Sequence, residues 1–300
     1  MKKRIVITGS NGLLGQTLVN LLLEEANSYE VIGFSKGPNR SKRLDFKYVS
    51  VDITDQKSLE TQLRLIQPHF IVNTAAMTNV DACESNRPEC FALNVSAVAY
   101  LTEISKSIGA HIIHLSTDFI FDGVQGNYKE TDVANPLSYY GETKLLSEEI
   151  LNKSTIDFTI LRTILVYGLT ADMSRSNIVL WVKESLEQHK EIQIVNDQFR
   201  TPTFVLSLAE ACKRCIDIGA KGTFHIASNT LLSIYEIALQ IADTFGLDAQ
   251  YIKPIETATL NQPANRPVKT GFDLTKTKKE LDFHPKSFKE DLQKFKNMLL

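Results

Sequence analysis

The chain has 300 residues, 43% of them hydrophobic and 23% charged, with a formal net charge of −2. That is ample apolar material for one large domain or two modest ones, in an ordinary globular composition. The near-neutral balance argues against a basic nucleic-acid face or an electrostatic membrane anchor, and Lys276–Lys279 reads as a solvated helix face.

The opening MKKRIVITGS turns from basic to apolar as a signal peptide does, but polar and glycine residues follow at once. The longest apolar-looking stretch, Leu13–Leu23, is interrupted by Gly15, Gln16, Thr17 and Asn20. It falls short of the ~20 apolar residues of a spanning helix. A cytoplasmic protein without membrane or nucleic-acid partners is expected.

Along the first half, short apolar runs alternate with longer amphipathic ones. Ile5–Thr8, Val31–Phe34, Tyr48–Val51, Phe70–Asn73 and Ile112–Ser116 predict strands, and Gly12–Glu25, Gln56–Ile66 and Pro88–Ser107 predict helices. A helix from about Tyr140 to Asn152 leads to the strand Phe158–Arg162. Strands apolar on both faces and alternating with helices predict an α/β Rossmann fold, a doubly wound parallel sheet with helices on both faces.

The second half is less regular. Ser176–His189, with the single tryptophan Trp181, reads as a helix, Gln193–Val195 as a strand, and Pro202–Ile218 as a loop entering a helix. Thr223–Ala227 reads as a strand and Ser233–Phe245 as a helix, while Pro254, Pro263, Pro267 and Pro285 suggest loops. A smaller α/β C-terminal substrate lobe is expected. Residues 1–165 would form the dinucleotide-binding domain, with 200–220 returning to it, and 166–199 and 221–300 the lobe. Of the cysteines Cys83, Cys90, Cys212 and Cys215, the last two fit C-x-x-C without a second such pair, so they read as thiols on a helix, and no metal site is expected.

Three motifs carry chemistry. Gly9, Gly12 and Gly15, in Thr8-Gly-Ser-Asn11-Gly-Leu13-Leu14-Gly, follow the first strand and open a helix. Free N–H groups and the positive end of the helix dipole favour a diphosphate there, and the glycines let backbone and ligand approach. The second strand ends Gly33-Phe34-Ser35-Lys36, with Arg40 beyond and no acid to hold a ribose 2′-hydroxyl. A hydroxyl and cations suit a 2′-phosphate, so NADP(H) is favoured over NAD(H).

Next, Tyr140-x-x-x-Lys144 places a phenol and an ammonium on one helix face. The lysine should stabilise the phenolate and lower a pKa otherwise near ~10, so that the tyrosine exchanges a proton with a carbonyl or alcohol as hydride moves. Finally, Ser116-Thr117-Asp118 closes the fifth strand, where ligands of such sheets bind, and Thr117 could hydrogen-bond the reacting oxygen.

Together these segments resemble the extended short-chain dehydrogenase/reductases, and within them the dTDP-4-dehydrorhamnose reductases. The resemblance rests on TGSNGLLG, VDITD, QPHFIVNTAAMTNVDACE, LNVSAVAYL, HLSTDFIFDG, YYGETK, LRTILVYG, DQFRTPT and NRPVKTGFD, nearly the whole chain. It implies that Gly12, Leu13 and Leu14 meet the diphosphate, that Asp52 and Ile53 border the adenine, and that Ala75, Ala76, Met77 and Thr78 line the cofactor. It implies a catalytic set of Thr117, Tyr140 and Lys144, with Asp118 beside a nucleotide-linked sugar. Some relatives dimerise around Mg²⁺; a homodimer is compatible with the chain, but no ligand cluster calls for the ion. Met77 stands where a histidine is usual, Leu165 where a tryptophan is usual, and Arg200-Thr201 where a glycine-containing pair is usual. Arg200 is thereby expected to grip a phosphate or carboxylate. The QFRTPT run also resembles the regulatory β subunit of methionine adenosyltransferase, which implies an NADP-binding module as the alternative. Dehydratases of this group would show an Asp-Glu pair after the threonine, where this chain has Asp118-Phe119.

Overall fold

The computed structural model describes residues 2–173 and 176–299. Six strands, β1 (Lys3–Thr8), β2 (Tyr29–Ser35), β3 (Lys47–Ser50), β4 (Phe70–Asn73), β5 (His111–Thr117) and β6 (Phe158–Thr163), form one parallel sheet with a seventh, Gly222–Ile226. Its order is Gly222–Ile226, β6, β5, β4, β1, β2, β3. The winding therefore reverses between β1 and β4, which leaves a crevice beyond their carboxyl ends.

Strand periodicity explains the two faces. Val6, Ile32, Ile71, Ile112 and Ile160 share one core with the helices α2 (Gln56–Ile66) and α5 (Ala97–Ile108). Their neighbours Ile5, Ile7, Val72, Ile113 and Leu161 point to the other face, where α1 (Leu13–Leu23) packs. Successive side chains of a strand alternate sides, so a strand covered by helices twice must be apolar throughout. Local signals set the helix ends: Asp55 caps α2 through Ser58 N, and Gly109 ends α5 at φ 70°.

The predicted helix Pro88–Ser107 is segmented. Two short helices, α3 (Val80–Ser85) and α4 (Arg87–Phe91), precede a π turn at Ala92–Ser96 that leads into α5. The extra residue of the π turn turns Asn94 inward, a use common at functional sites. Then α6 (Tyr139–Asn152) begins at Ser138, whose hydroxyl accepts from Gly141 N. It is followed by α7 (Ile178–Glu187), α8 (Val205–Ile218), α9 (Ile234–Phe245), α10 (Thr275–Leu281) and α11 (Phe288–Leu299).

One expectation for the second half is corrected. The strand Gly222–Ile226, assigned to the smaller lobe, is the edge of the large sheet, paired in parallel with β6. Pro254, expected near a loop, lies in the strand Ile252–Ile255 just before one; among the described residues this strand pairs with Ile192–Val195 alone, and such an edge tolerates a residue without an N–H. Two further small sheets join Val166–Tyr167 to Thr203–Phe204, and Phe199–Arg200 to Leu232–Ser233 and Lys269–Thr270. Cys212 and Cys215 are buried thiols of α8. Among the described residues no helix is long and apolar enough to cross a membrane.

Candidate active site

A cleft of about 650 Å³ opens beyond the carboxyl ends of β1, β4, β5 and β6. Its floor is the turn between β1 and α1. Gly9 sits at φ 66°, with Ala75 N only 2.8 Å from where a Cβ would be. A Cβ on Gly15 would lie 2.2 Å from the Gly9 carbonyl. Both positions therefore require glycine. The helix N-cap is Gly12, which has no side chain to satisfy the first-turn N–H groups, so the helix presents them to the cleft beside Asn11, Leu13 and Leu14.

The adenosine-side residues gather at the ends of β2 and β3. Ser35 Oγ accepts from Asn11 N at 3.0 Å, and Asn11 Nδ2 donates to the Pro38 carbonyl and to Tyr48. Lys36 pairs with Asp52 at 2.9 Å. Hydrogen bonds from Thr54, then the Lys36 cation, pull Asp52 down to about 2. Ile53 is buried next to it. Arg40 pairs with Asp172 at 2.9 Å, which brings the segment after Gly168 against this end of the turn.

Ala76 and Thr78 line the cleft, while Ala75 backs Gly9. Met77 packs with Cys83, Cys90, Val80, Phe119 and Tyr139 around the ring of Tyr140. Asn94, which the motifs did not single out, fixes this wall. It accepts from Met77 N at 2.8 Å and donates to the Met77 carbonyl and to Thr143 on α6.

Thr117, Tyr140 and Lys144 meet at the centre of the cleft. The expected lowering of the Tyr140 pKa is corrected here: burial among apolar side chains drives it well above the ordinary tyrosine value, and the Thr117 hydroxyl offsets only part of that. The phenol is held protonated. Lys144 Nζ turns instead to the Leu115 carbonyl at 2.7 Å and His114 Nε2 at 3.1 Å, and burial brings its pKa down to about 8.

Asp118 and Arg200 line the far wall together. The carboxylate Arg200 grips is the chain's own: its Nε lies 3.6 Å from Asp118, and its other nitrogens donate to the Phe199, Pro267 and Val268 carbonyls. Thr117 and Thr270 donate to the two oxygens of Asp118, so a buried carboxylate ties β5 to the small three-stranded sheet. Leu165 also lines the cleft, at φ 42°, a strained value for a branched side chain. Gln198 and Arg266 complete this side, Arg266 paired with Asp81 of α3 at 2.6 Å.

Two cleft hydroxyls, Ser116 Oγ and Thr170 Oγ1, are buried without a hydrogen-bond partner among the described residues. An uncapped helix N-terminus and orphaned hydroxyls in one cleft fit a polar, anionic ligand such as a dinucleotide. Ser116→Ala is expected to act with opposite signs. Thermal unfolding without ligand should show a stability gain of roughly 1 kcal/mol, because an unsatisfied buried hydroxyl is removed, while affinity for the cleft ligand falls. Equal affinity for both proteins would contradict a ligand role for Ser116.

Against known proteins, the chain matches the RmlD substrate binding domain family over residues 2–300. A probable low-salt glycan biosynthesis reductase, Agl14, of Haloferax volcanii is 32% identical over 288 residues, 95% of each chain. Methionine adenosyltransferase 2 subunit beta of Bos taurus is 30% identical over 279 residues, 91% of this chain and 81% of that protein. A dTDP-4-dehydrorhamnose reductase structure from Clostridium acetobutylicum superposes with a TM-score of 0.88 at 29% identity, covering 99% of both chains. Another, from Bacillus anthracis in complex with NADP, gives 0.87 at 26% identity over 99% of this chain and 100% of that one. With a match that spans the described chain from end to end, the protein belongs to the RmlD substrate-binding domain family.

Proposed function

We propose that the protein is an NADPH-dependent reductase of the C4 ketone of a nucleotide-linked 6-deoxy sugar, most simply dTDP-4-dehydrorhamnose. The observation that carries the reading is the buried Tyr140 phenol in one cleft with Thr117, Lys144 and the open N-terminus of α1. The family and its reductase relatives support the same class.

The α1 N-terminus, with Gly12, Leu13 and Leu14, would hold the diphosphate, and Ser35 and Lys36 the 2′-phosphate. A reduced nicotinamide held there would supply the hydride. Tyr140 holds a proton at the ketone oxygen and releases it as the alkoxide forms, and Thr117 would reach that oxygen by turning its hydroxyl hydrogen away from Asp118. The Lys144 ammonium, present below about pH 8, offsets the developing negative charge. Asp118, braced by Arg200 and Thr270, keeps Thr117 in place, and Leu165 meets the deoxysugar where a tryptophan is usual. Gln198 and Arg266 face the nucleotide side.

A panel of keto-sugar nucleotides with NADPH, followed by loss of near-ultraviolet absorbance, tests the substrate class. Oxidation with the 4-keto-6-deoxy members alone is the expected result. Tight NADPH binding with no turnover across the panel would instead favour a binding module, in line with the methionine adenosyltransferase subunit. Lys36→Ala is expected to weaken NADPH by roughly tenfold, the scale of one hydrogen bond to a charged group, and to leave NADH nearly unchanged. Equal losses would remove the 2′-phosphate assignment.

A further inference from the structure

Thr117 and Asp118 share a hydrogen that the reduction needs elsewhere. Thr117 Oγ1 donates to Asp118 Oδ1 at 3.2 Å and accepts from Phe119 N at 3.2 Å. A hydroxyl has a single hydrogen to give. Turned toward a ketone oxygen in the cleft, that hydrogen leaves Asp118 Oδ1. The carboxylate is 2% exposed and belongs to the cleft wall, so a ligand seated against it keeps water out.

The described neighbours of Asp118 are already committed. Thr270 donates to the other oxygen, Oδ2. Arg200 is pinned: Nη1 donates to the Phe199 and Val268 carbonyls at 2.8 and 3.1 Å, and Nη2 to the Pro267 carbonyl at 2.7 Å and to Gln198 Oε1 at 3.5 Å. Both Nη groups are thereby engaged, and Nε stays 3.6 Å from Oδ2. Burial pushes the Asp118 carboxyl up, opposed by the Arg200 charge, the Thr270 and Thr117 hydroxyls and its own backbone N–H. Loss of the Thr117 donor leaves a buried acceptor short, and the penalty is larger for a charged group than for a neutral one.

The turned hydrogen and the vacated acceptor are adjacent. Oγ1 and Oδ1 lie 3.2 Å apart, a spacing that a carbonyl oxygen and a hydroxyl on the adjoining carbon can match. We propose that the cleft selects ketones with a hydroxyl on the carbon next to the carbonyl: the carbonyl takes the Thr117 hydrogen, and the hydroxyl gives its own to Asp118 Oδ1. Asp118 is then a specificity-determining residue, with Arg200 as its anchor. The inference rests on the reductase reading and narrows its substrate class. In a 4-keto-6-deoxy pyranose C5 carries the ring oxygen and the methyl, so the hydroxyl is that of C3. A ketone without it strands a buried charged acceptor, which discriminates more sharply than a lost apolar contact.

The test compares kcat/KM with NADPH for a 4-keto-6-deoxy sugar nucleotide and for its analogue with fluorine in place of the C3 hydroxyl. Fluorine keeps the size and the electron withdrawal of the hydroxyl but has no hydrogen to donate. The wild type should prefer the hydroxyl by about 10- to 100-fold, the worth of one hydrogen bond to a charged group. Asp118→Asn, with a neutral acceptor, should shrink that preference several-fold. Thr117→Val, slower with both ketones, should keep it, because Asp118 still lacks a donor there. Equal or faster reduction of the fluoro ketone by the wild type would overturn the proposal, whether or not the variants fold, and leave the reductase reading standing. A preference unchanged in folded Asp118→Asn, or lost in Thr117→Val, would overturn it too. Turnover of neither ketone by protein that binds NADPH would remove the reductase reading and the proposal together.

Discussion

Replacing Tyr140 by phenylalanine should lower turnover by about 10²–10⁴-fold, the usual contribution of a positioned general acid, and leave NADPH affinity almost unchanged. The ring would keep its packing against Phe119, Met77 and the two neighbouring cysteines, so the loss is confined to the hydroxyl and its proton. The sign of the Tyr140 pKa matters here. A phenol pushed upward by burial stays protonated at neutral pH and suits reduction, where a proton must be delivered. Steady-state rates with the preferred keto-sugar, beside a direct NADPH titration, check this. A parallel collapse of rate and cofactor affinity would show that Tyr140 builds the cofactor site and does not act as the acid.

The largest expected effect on stability lies two turns further along α6. Glu148 meets Arg162 of β6 at 2.7 Å, with both side chains nearly excluded from water, at 1% and 8% exposure. Arg162 also donates to the Glu130 carbonyl and lies over the Phe121 ring. Glu148→Ala would leave a buried guanidinium without its counter-charge, a change that typically costs about 3–5 kcal/mol. Urea unfolding should show the loss directly. Because the Glu148 charge also favours the Lys144 cation, the alkaline limb of turnover should shift to lower pH in the same variant. A loss below about 1 kcal/mol would mean that water reaches Arg162, in the range of a surface pair.

Much of the fold was legible because its signals are local. The large sheet declares itself through short runs apolar on both faces, and the turn at Gly9–Gly15 through glycines that no other residue could replace. What was not legible depends on distant partners. A two-residue strand such as Phe199–Arg200 exists only because Leu232–Ser233 and Lys269–Thr270 lie beside it. Gly222–Ile226 looks like any short strand, and nothing in its residues says which sheet takes it. The π turn at Ala92–Ser96 keeps a helical composition and leaves no mark in the periodicity.

The site divides in the same way. Thr117, Tyr140 and Lys144 could be named from spacing and from their place in the order of elements. The direction of the Tyr140 pKa could not, since it follows from how α3 and α4 close over the ring. Ser116 and His114 were passed over as strand residues. The partners of His114 lie 30, 33 and 41 positions away in the chain, with no motif to join them.

The most direct test of the reductase reading follows the hydride itself. Protein, dTDP-4-dehydrorhamnose and NADPH deuterated at the transferring position of the nicotinamide would be incubated together, and the sugar nucleotide analysed by mass spectrometry. The account predicts a product carrying one deuterium on the former ketone carbon, formed in step with cofactor oxidation and lost in Tyr140→Phe. Unlabelled sugar nucleotide recovered from protein that holds NADPH tightly would contradict it.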